Sequence, residues 1–394
     1  MSDRNRIPRG VWVLGFVSLL MDISSEMIHS LLPLYLTVAL GASALTVGII
    51  EGVAESTALI VKVFSGALSD RLRKRKSITA FGYGLAALSK PLFALATGPL
   101  LVFVARFLDR IGKGIRGAPR DALIADLTPK EVRGAAFGLR QSLDTIGAFA
   151  GPLLAMALML AWNDDFRAVF WVAVIPAILS FALIAFAVRE PSVVAADSTD
   201  KVKFDRAMLR KLGPAFWAVT AAGTALTLAR FSEAFLILRA QNLGLAVALA
   251  PLVLVGMNVV YAVTAYPVGK LADRMSPPAL LYAGIAMLIA ADVVLARASG
   301  LWALGAGVAL WGLHMGFTQG LLSAMVAHAS PATLRGTAFG VFNLASGLAM
   351  LAASALAGAL WQFVGPEATF WAGAALAGMS AALAWFTLRD WRKR

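Results

Sequence analysis

Three observations predict an all-α membrane protein of twelve transmembrane helices in two pseudo-symmetric six-helix bundles. The first is composition: of 394 residues 59% are hydrophobic and only 14% charged, with a mean hydropathy of +0.78. Soluble domains run about one-quarter charged, so lipid must solvate this much apolar surface. The second is spacing, because apolar stretches of about 20 residues, the length a span needs, recur between short turns. The third is duplication: the turn Gly66-Ala-Leu-Ser-Asp70-Arg71-Leu-Arg-Lys-Arg-Lys76 is echoed by Gly269-Lys-Leu-Ala-Asp273-Arg274. Duplicated bundles of this kind are how secondary transporters are built.

The first span, 11–37, follows a basic start but carries Asp22 and Glu26 and lacks a small-residue cleavage pattern. It reads as a retained helix rather than a secretory signal. Spans at 45–68 and 77–97 flank the cationic turn, and 100–124, 137–160 and 166–188 complete a first bundle over residues 1–190. Residues 191–212, the one long polar stretch, form a cytoplasmic linker. Spans at 213–238, 246–270, 279–297, 301–327, 337–361 and 367–388 make the second bundle, 213–394.

The net charge of +13 would suggest nucleic acid in a soluble chain, but here most cations lie in alternate turns. One set holds Arg4, Arg6, Arg9, Arg71 to Lys76, Lys130, Arg133, the linker, Lys270, Arg274, Arg335 and Arg389 to Arg394; the other holds little more than Arg167, Arg239 and Arg297. By the positive-inside rule both termini and the linker face the cytoplasm, in a multi-pass protein of the inner (plasma) membrane. The absence of cysteine excludes disulfides and thiolate metal sites and leaves the compartment open.

The echoes keep order. Ser25-Glu26 matches Ser232-Glu233 loosely, and Thr128-Pro-Lys-Glu-Val-Arg-Gly-Ala-Ala-Phe-Gly138 matches Ser330-Pro-Ala-Thr-Leu-Arg-Gly-Thr-Ala-Phe-Gly340, at offsets of 207 and 202 against 203 for the glycine-aspartate turn.

These residues resemble the major facilitator superfamily across essentially the whole chain. Gly66-x-Leu68-x-Asp70-Arg71-x-x-Lys74-Arg75 resembles the family's motif between helices 2 and 3, with Arg73 in place of a second glycine. Arg106-Phe-Leu-Asp109-Arg110 resembles the helix-4 motif, with Asp and Arg replacing its glutamine and glycine. Gly138, Gly147 and Gly151-Pro152 resemble the helix-5 motif of proton-coupled drug antiporters, with Ala155-Met156 in place of its terminal glycine pair. The resemblance implies gating by Gly66, Asp70 and Arg71 and by Gly269, Asp273 and Arg274, with Asp70 latching one conformation against a helix N-terminus. Gly147, Gly151 and Pro152 would form a hinge. Independently, small residues on one face allow close helix approach and proline permits bending.

Charge inside the spans is the unusual chemistry, since each such group costs about 2.5–3.5 kcal/mol at mid-bilayer on the insertion scale and demands a reason. Span 4 carries Arg106, Asp109, Arg110, Lys113, Arg116, Arg120 and Asp121. Asp109 is placed to pair with Lys113, and Arg140 with Asp144, at i,i+4; Arg116 to Asp121 fall close enough to the cytoplasm to be solvated. Asp22, Glu26 and His29 share a face of span 1, and Glu51 and Glu55 share one of span 2. Burial and neighbouring arginines compete over such carboxylates, which suits them to carry protons: Glu26 first, then Asp22, Glu51, Glu55 and Asp144. Substrate-binding candidates are Arg106, Asp109, Arg110, Lys113, Arg140, Arg230, Glu233, Tyr261, His314 and Gln319. Trp217, Phe231, Phe235 and Trp311 are further candidates to line the second bundle.

The leading expectation is a proton-coupled, alternating-access exporter of a small organic, anionic or zwitterionic compound, working as a monomer in the bilayer with no cofactor and no nucleic acid. One alternative is a transition-metal transporter that uses Asp22, Glu26 and His29 as ligands. Another is a membrane sensor that transports nothing. An enzyme is disfavoured because no nucleophile-base-orienter set is recognisable.

Overall fold

A computed structural model describes residues 7–72, 74–188, 190, 209–272, 275–331 and 334–389. Among them, helices α1 (Arg9–His29), α2 (Ala44–Leu72), α3 (Arg75–Leu95), α4 (Pro99–Leu127), α5 (Arg133–Ala161) and α6 (Phe166–Ala182) make the first half. The second half is α7 (Pro214–Ala229), α8 (Pro251–Ala272), α9 (Pro277–Arg297), α10 (Leu301–Ala329), α11 (Arg335–Phe363) and α12 (Pro366–Thr387). Eleven of these twelve segments, with their continuations, are long and apolar enough to cross a membrane. The twelfth is α4, whose charges lower its hydropathy although its 29 residues are ample in length.

Three successive helices repeat at one constant offset. Both ends of α3, α4 and α5 recur 202 residues later as both ends of α9, α10 and α11. Equivalent positions in the two halves can therefore be named residue by residue.

Two expected spans are interrupted. α1 stops at His29 and resumes as Leu32–Leu34, then as a wide π-helical turn over Tyr35–Ala39. Pro33 explains the stop: it has no N–H to give His29, and its ring crowds that carbonyl. α7 stops at Ala229 and resumes as Ala234–Asn242. There the Ser354 hydroxyl of α11 takes the N–H of Ser232 at 3.2 Å, a bond the broken helix no longer makes.

The described residues form two compact units that do not follow the chain linearly. The first comprises Met1–Ala42, Thr57–Asp197 and Val247–Leu252; the second comprises Ser43–Ser56, Ser198–Ala246 and Val253–Arg394. The start of α2 belongs to the second because Gly52 lies against Leu351 and Ser354 of α11, where an added Cβ would meet atoms at 3.1 Å. Within the first unit, α1 packs on α5 in the same backbone-close manner. A Cβ at Gly147 would meet Asp22 Cβ and the Leu19 carbonyl at 2.9 Å, and one at Gly151 would meet Glu26 Cβ and the Ile23 carbonyl at 2.8 Å. The glycines of α5 thus seat the two acids of α1. Gly138 has nothing within 4 Å of the equivalent point.

This contrast is testable by thermal melting of the purified protein. Gly151→Ala is expected to destabilise by about 1–3 kcal/mol, the cost of overpacking, whereas Gly138→Ala is expected to be neutral or to gain up to about 1 kcal/mol of helix propensity. Equal midpoints for the two variants would contradict the packing described.

Candidate proton and substrate site of the first unit

A charge drawn out of water into a helical bundle is tolerable only when opposite charges and hydrogen bonds meet it. The first unit meets that demand with a chain of side chains running along α4. Lys90 of α3 is fully buried and gives Asp109 Oδ1 a bond of 2.7 Å and Ser25 Oγ of α1 one of 3.0 Å. Arg110 Nε lies 3.7 Å from the other Asp109 oxygen. Asp109 thus takes its 2.7 Å partner from the neighbouring helix, where sequence spacing had offered Lys113 on its own. Arg106 and Arg110 are buried beside it.

Arg116 is not solvated, contrary to the sequence expectation. It is 4% exposed, with its guanidinium 4.9 Å from the centre of the Tyr83 ring. The reason is close approach of α3 and α4: a Cβ on Gly82 would meet the Arg116 backbone nitrogen at 2.9 Å, so Tyr83 stands directly over it. Aromatic faces attract cations, more strongly when desolvated. Arg120 is also largely withdrawn, donating to Ser18 Oγ at 2.9 Å, and Ser18 in turn contacts the Tyr83 hydroxyl at 3.2 Å. Asp121, 39% exposed, does reach solvent.

The remaining charges border a more open face. Arg140 pairs with Asp144 on α5 as the i,i+4 spacing predicts, and Asp121 stands 3.8 Å from Arg140 Nε. Asp22 faces Asp144, Arg116, Lys113 and Arg120. Glu26, 20% exposed, contacts His29 Nδ1 at 3.4 Å and faces Lys113 and Arg110. Lys113 is itself exposed. Acids of α1 and cations of α4 therefore face one another, with Glu26 partly exposed and Lys113 exposed.

The alternative ligand set is Asp22, Glu26 and His29. Among the described residues no three His, Asp or Glu side chains converge to hold an ion, and Glu26 pairs with His29. Asp22, one turn earlier, faces the arginines and Lys113 instead.

Other candidates fall elsewhere. Glu51, buried, and Glu55 lie on the part of α2 that belongs to the second unit. There Arg230, at the break after α7, faces both Tyr261 and His314. His314 is fully buried, its Nδ1 2.8 Å from the Gly284 carbonyl. Glu233 opens the continuation of α7, and Gln319 is half-buried on α10. Phe231, Phe235 and Trp311 are buried in an aromatic cluster with Phe370 and Trp361. Trp217 instead lines an apolar groove of about 650 Å³ between α7 and α11, with Thr220, Thr224 and Leu348.

Of the gating candidates, Gly66 lies near the end of α2, where a Cβ would meet Ala118 at 3.3 Å, and Gly269 has open space. Asp70 and Arg71 are in the last turn of α2, but their side chains, like Asp273 and Arg274 as a whole, lie outside the described residues. Pro152 is buried within a continuous α5.

The residue that sequence reasoning missed is Lys90. Its signal was present: the 202-residue repeat sets it against Asp292, so both halves place an ionisable residue at the same point on α3 and α9.

The Major Facilitator Superfamily model matches residues 14–238 and again 215–393. The chain belongs to that superfamily. An MFS-type transporter of Methanocaldococcus jannaschii is 33% identical over 391 residues, covering 98% of this chain and 96% of that one. The multidrug resistance protein MdtH of Photorhabdus laumondii is 32% identical over 162 residues, 41% of this chain and 39% of its own. Among solved structures the nucleoside transporter NupG superposes with a TM-score of 0.74 at 13% identity, covering 98% of this chain and all of that one (100%). Membership makes this a multi-pass membrane transporter with a small-molecule substrate.

Removing one member of a buried pair strands the other. Lys90→Met is expected to destabilise by about 3–5 kcal/mol through the orphaned Asp109, and Lys90→Met with Asp109→Leu to recover most of it. Thermal melts of the single and double variants read the coupling; additive losses would show that the pair does not form.

Proposed function

We propose that this superfamily member is a proton-coupled secondary transporter that works by alternating access and exports a small anionic or zwitterionic organic compound. The observation that carries the reading is the confrontation on the open face of the first unit. Glu26 and Asp22 sit on backbone-close glycines of α5 and look across at Lys113, Arg110, Arg116 and Arg120 of α4. A carboxylate that can hold either a proton or a substrate's cationic end alternates between two partners. The anionic end of a zwitterion meets the cations of α4 while its cationic end pairs with the ionised acid, so the compound binds the deprotonated form and protonation of Glu26 releases it. Opposite charges favour the ionised carboxylate and their loss favours the acid. Because proton and compound compete for one carboxylate, exchange of one for the other follows without any further group.

In this reading Glu26 is the principal carrier, with Asp22 and Asp144 assisting and Arg106, Asp109, Arg110, Lys113 and Arg140 contributing to the binding field. Gly66, Asp70 and Arg71, with Gly269, Asp273 and Arg274, gate the cytoplasmic side, and Gly147, Gly151 and Pro152 give the hinge. The protein acts as a monomer in the plasma membrane with both termini in the cytoplasm, as the cation distribution indicates. The partial match to a multidrug resistance protein supports export.

The test uses proteoliposomes with an acidic lumen and a pH-sensitive dye inside, challenged with a panel of small carboxylates and zwitterions. The active compound is expected to alkalinise the lumen as it enters against protons. Glu26→Gln, which keeps the shape but carries no proton, is expected to abolish that signal. Full proton movement in Glu26→Gln would overturn the assignment.

A further inference from the structure

The constant 202-residue offset maps the Lys90–Asp109 pair of the first unit onto Asp292 of α9 and Trp311 of α10 in the second. Lys90 and Asp109 bond at 2.7 Å. Their counterparts differ: both carboxyl oxygens of Asp292, and Trp311 Nε1, are buried with no hydrogen-bond partner among the described residues. Both side chains are fully withdrawn from solvent, at 0% exposure.

The surroundings of Asp292 are aromatic and tight. A Cβ on Gly373 of α12 would stand 2.5 Å from Asp292 Oδ2 and 3.0 Å from the Phe231 ring, so glycine is what admits the carboxyl there. Phe231 lies 5.2 Å from Trp311 and 5.5 Å from Phe370, ring centre to ring centre. An ionised carboxylate without a donor in such a place is too costly to keep.

The charged groups of every packed element are otherwise engaged. From α10, His314 is held by the Gly284 carbonyl and faces Arg230. From α12, Glu367 is bound at 3.0 Å by Arg239. Arg239, on the continuation of α7, also caps the end of α9 through the carbonyls of Leu295, Ala296 and Ala298. Arg230, beside Phe231, faces Tyr261 as well as His314, and Glu233 opens that continuation. On α9 itself Arg297 lies 5.2 Å from the centre of the Trp371 ring.

We propose that Asp292 is a proton-binding carboxyl of the second unit, protonated in the conformation described, and that the Trp311 indole N–H is the donor that receives it once ionised. Of the ligands a carboxyl takes, only a proton needs no room, and the Gly373 contact leaves none for a hydrated cation. No further His, Asp or Glu joins it to make an ion site among the described residues. The step balances simply: the acid O–H releases its proton to water, and the indole N–H, free of any other acceptor, donates to the resulting carboxylate. The position is the one at which the first unit joins the equivalent two helices through Lys90 and Asp109. This site is separate from Glu26 and stands whether or not that residue carries the coupled proton.

The test is infrared difference spectroscopy of the full chain in liposomes, stepped between acid and alkaline pH without any substrate. Wild type is expected to show the C=O stretch of a protonated carboxyl at neutral pH, shifted in D₂O and missing from Asp292→Asn. Trp311→Phe removes the waiting donor, so the band is expected to persist to a higher pH than in wild type. A band unchanged by Asp292→Asn overturns the site. Should Asp292→Asn fail to fold, Trp311→Phe decides alone: an unmoved titration overturns the pairing, and a shifted one supports it.

Discussion

Everything in the first unit depends on one bond, that between Lys90 and Asp109. α4 carries more formal charge than lipid accepts, and a helix so charged is stable only with that face turned inward. Lys90 of α3 reaches Asp109 of α4 and Ser25 of α1 at once, which ties three helices together at the middle of α4. Arg116 over Tyr83, Arg120 on Ser18 and Arg140 on Asp144 extend the network along the bundle. Buried cations outnumber buried acids on that side: Lys90, Arg106, Arg110 and Arg116 against Asp109. The imbalance is what gives the partly buried acids of α1 a part to play.

The second unit reuses the same helical frame for different chemistry. Its helices α9, α10 and α11 begin and end where the repeat demands. Yet the slot of the ion pair holds an acid and an indole, and Gly112, which lets α4 approach α3, becomes His314, which bonds across to Gly284. Helix ends are handled in parallel ways too. The C-terminal carbonyl of α3 at Ala96 is taken by Tyr35 and Arg167, and that of α9 by Arg239. Duplication fixed the backbone, and side chains then diverged within it, one half towards charge and the other towards aromatic packing.

How much of this was legible follows from the range of each signal. Helix positions were readable within a few residues because glycine and proline mark the turns, as at Gly98-Pro99 and Gly365-Pro366. The pair of Arg140 with Asp144 was readable because it is local to one helix. The Lys90–Asp109 bond was not, since its partners stand on different helices and no periodicity connects them. Nor was the break after α7, which relies on a serine 122 residues away. Pro33 did announce the interruption of α1, but it sits in an apolar run that looked continuous. The aromatic residues of the second half read as a cavity wall or, more often for such residues, as packing, and only coordinates separate those.

The account rests on which way α4 faces, and the chain, having no cysteine, allows one label at a time. A nitroxide scan from residue 100 to residue 112 in lipid, read as collision with dissolved oxygen, measures this directly. Maxima are predicted at Leu100, Val104 and Phe107, which are exposed, and minima at Val102, Ala105 and Asp109, which are buried. Maxima at Arg106 and Arg110 would put the cations against lipid and contradict the account.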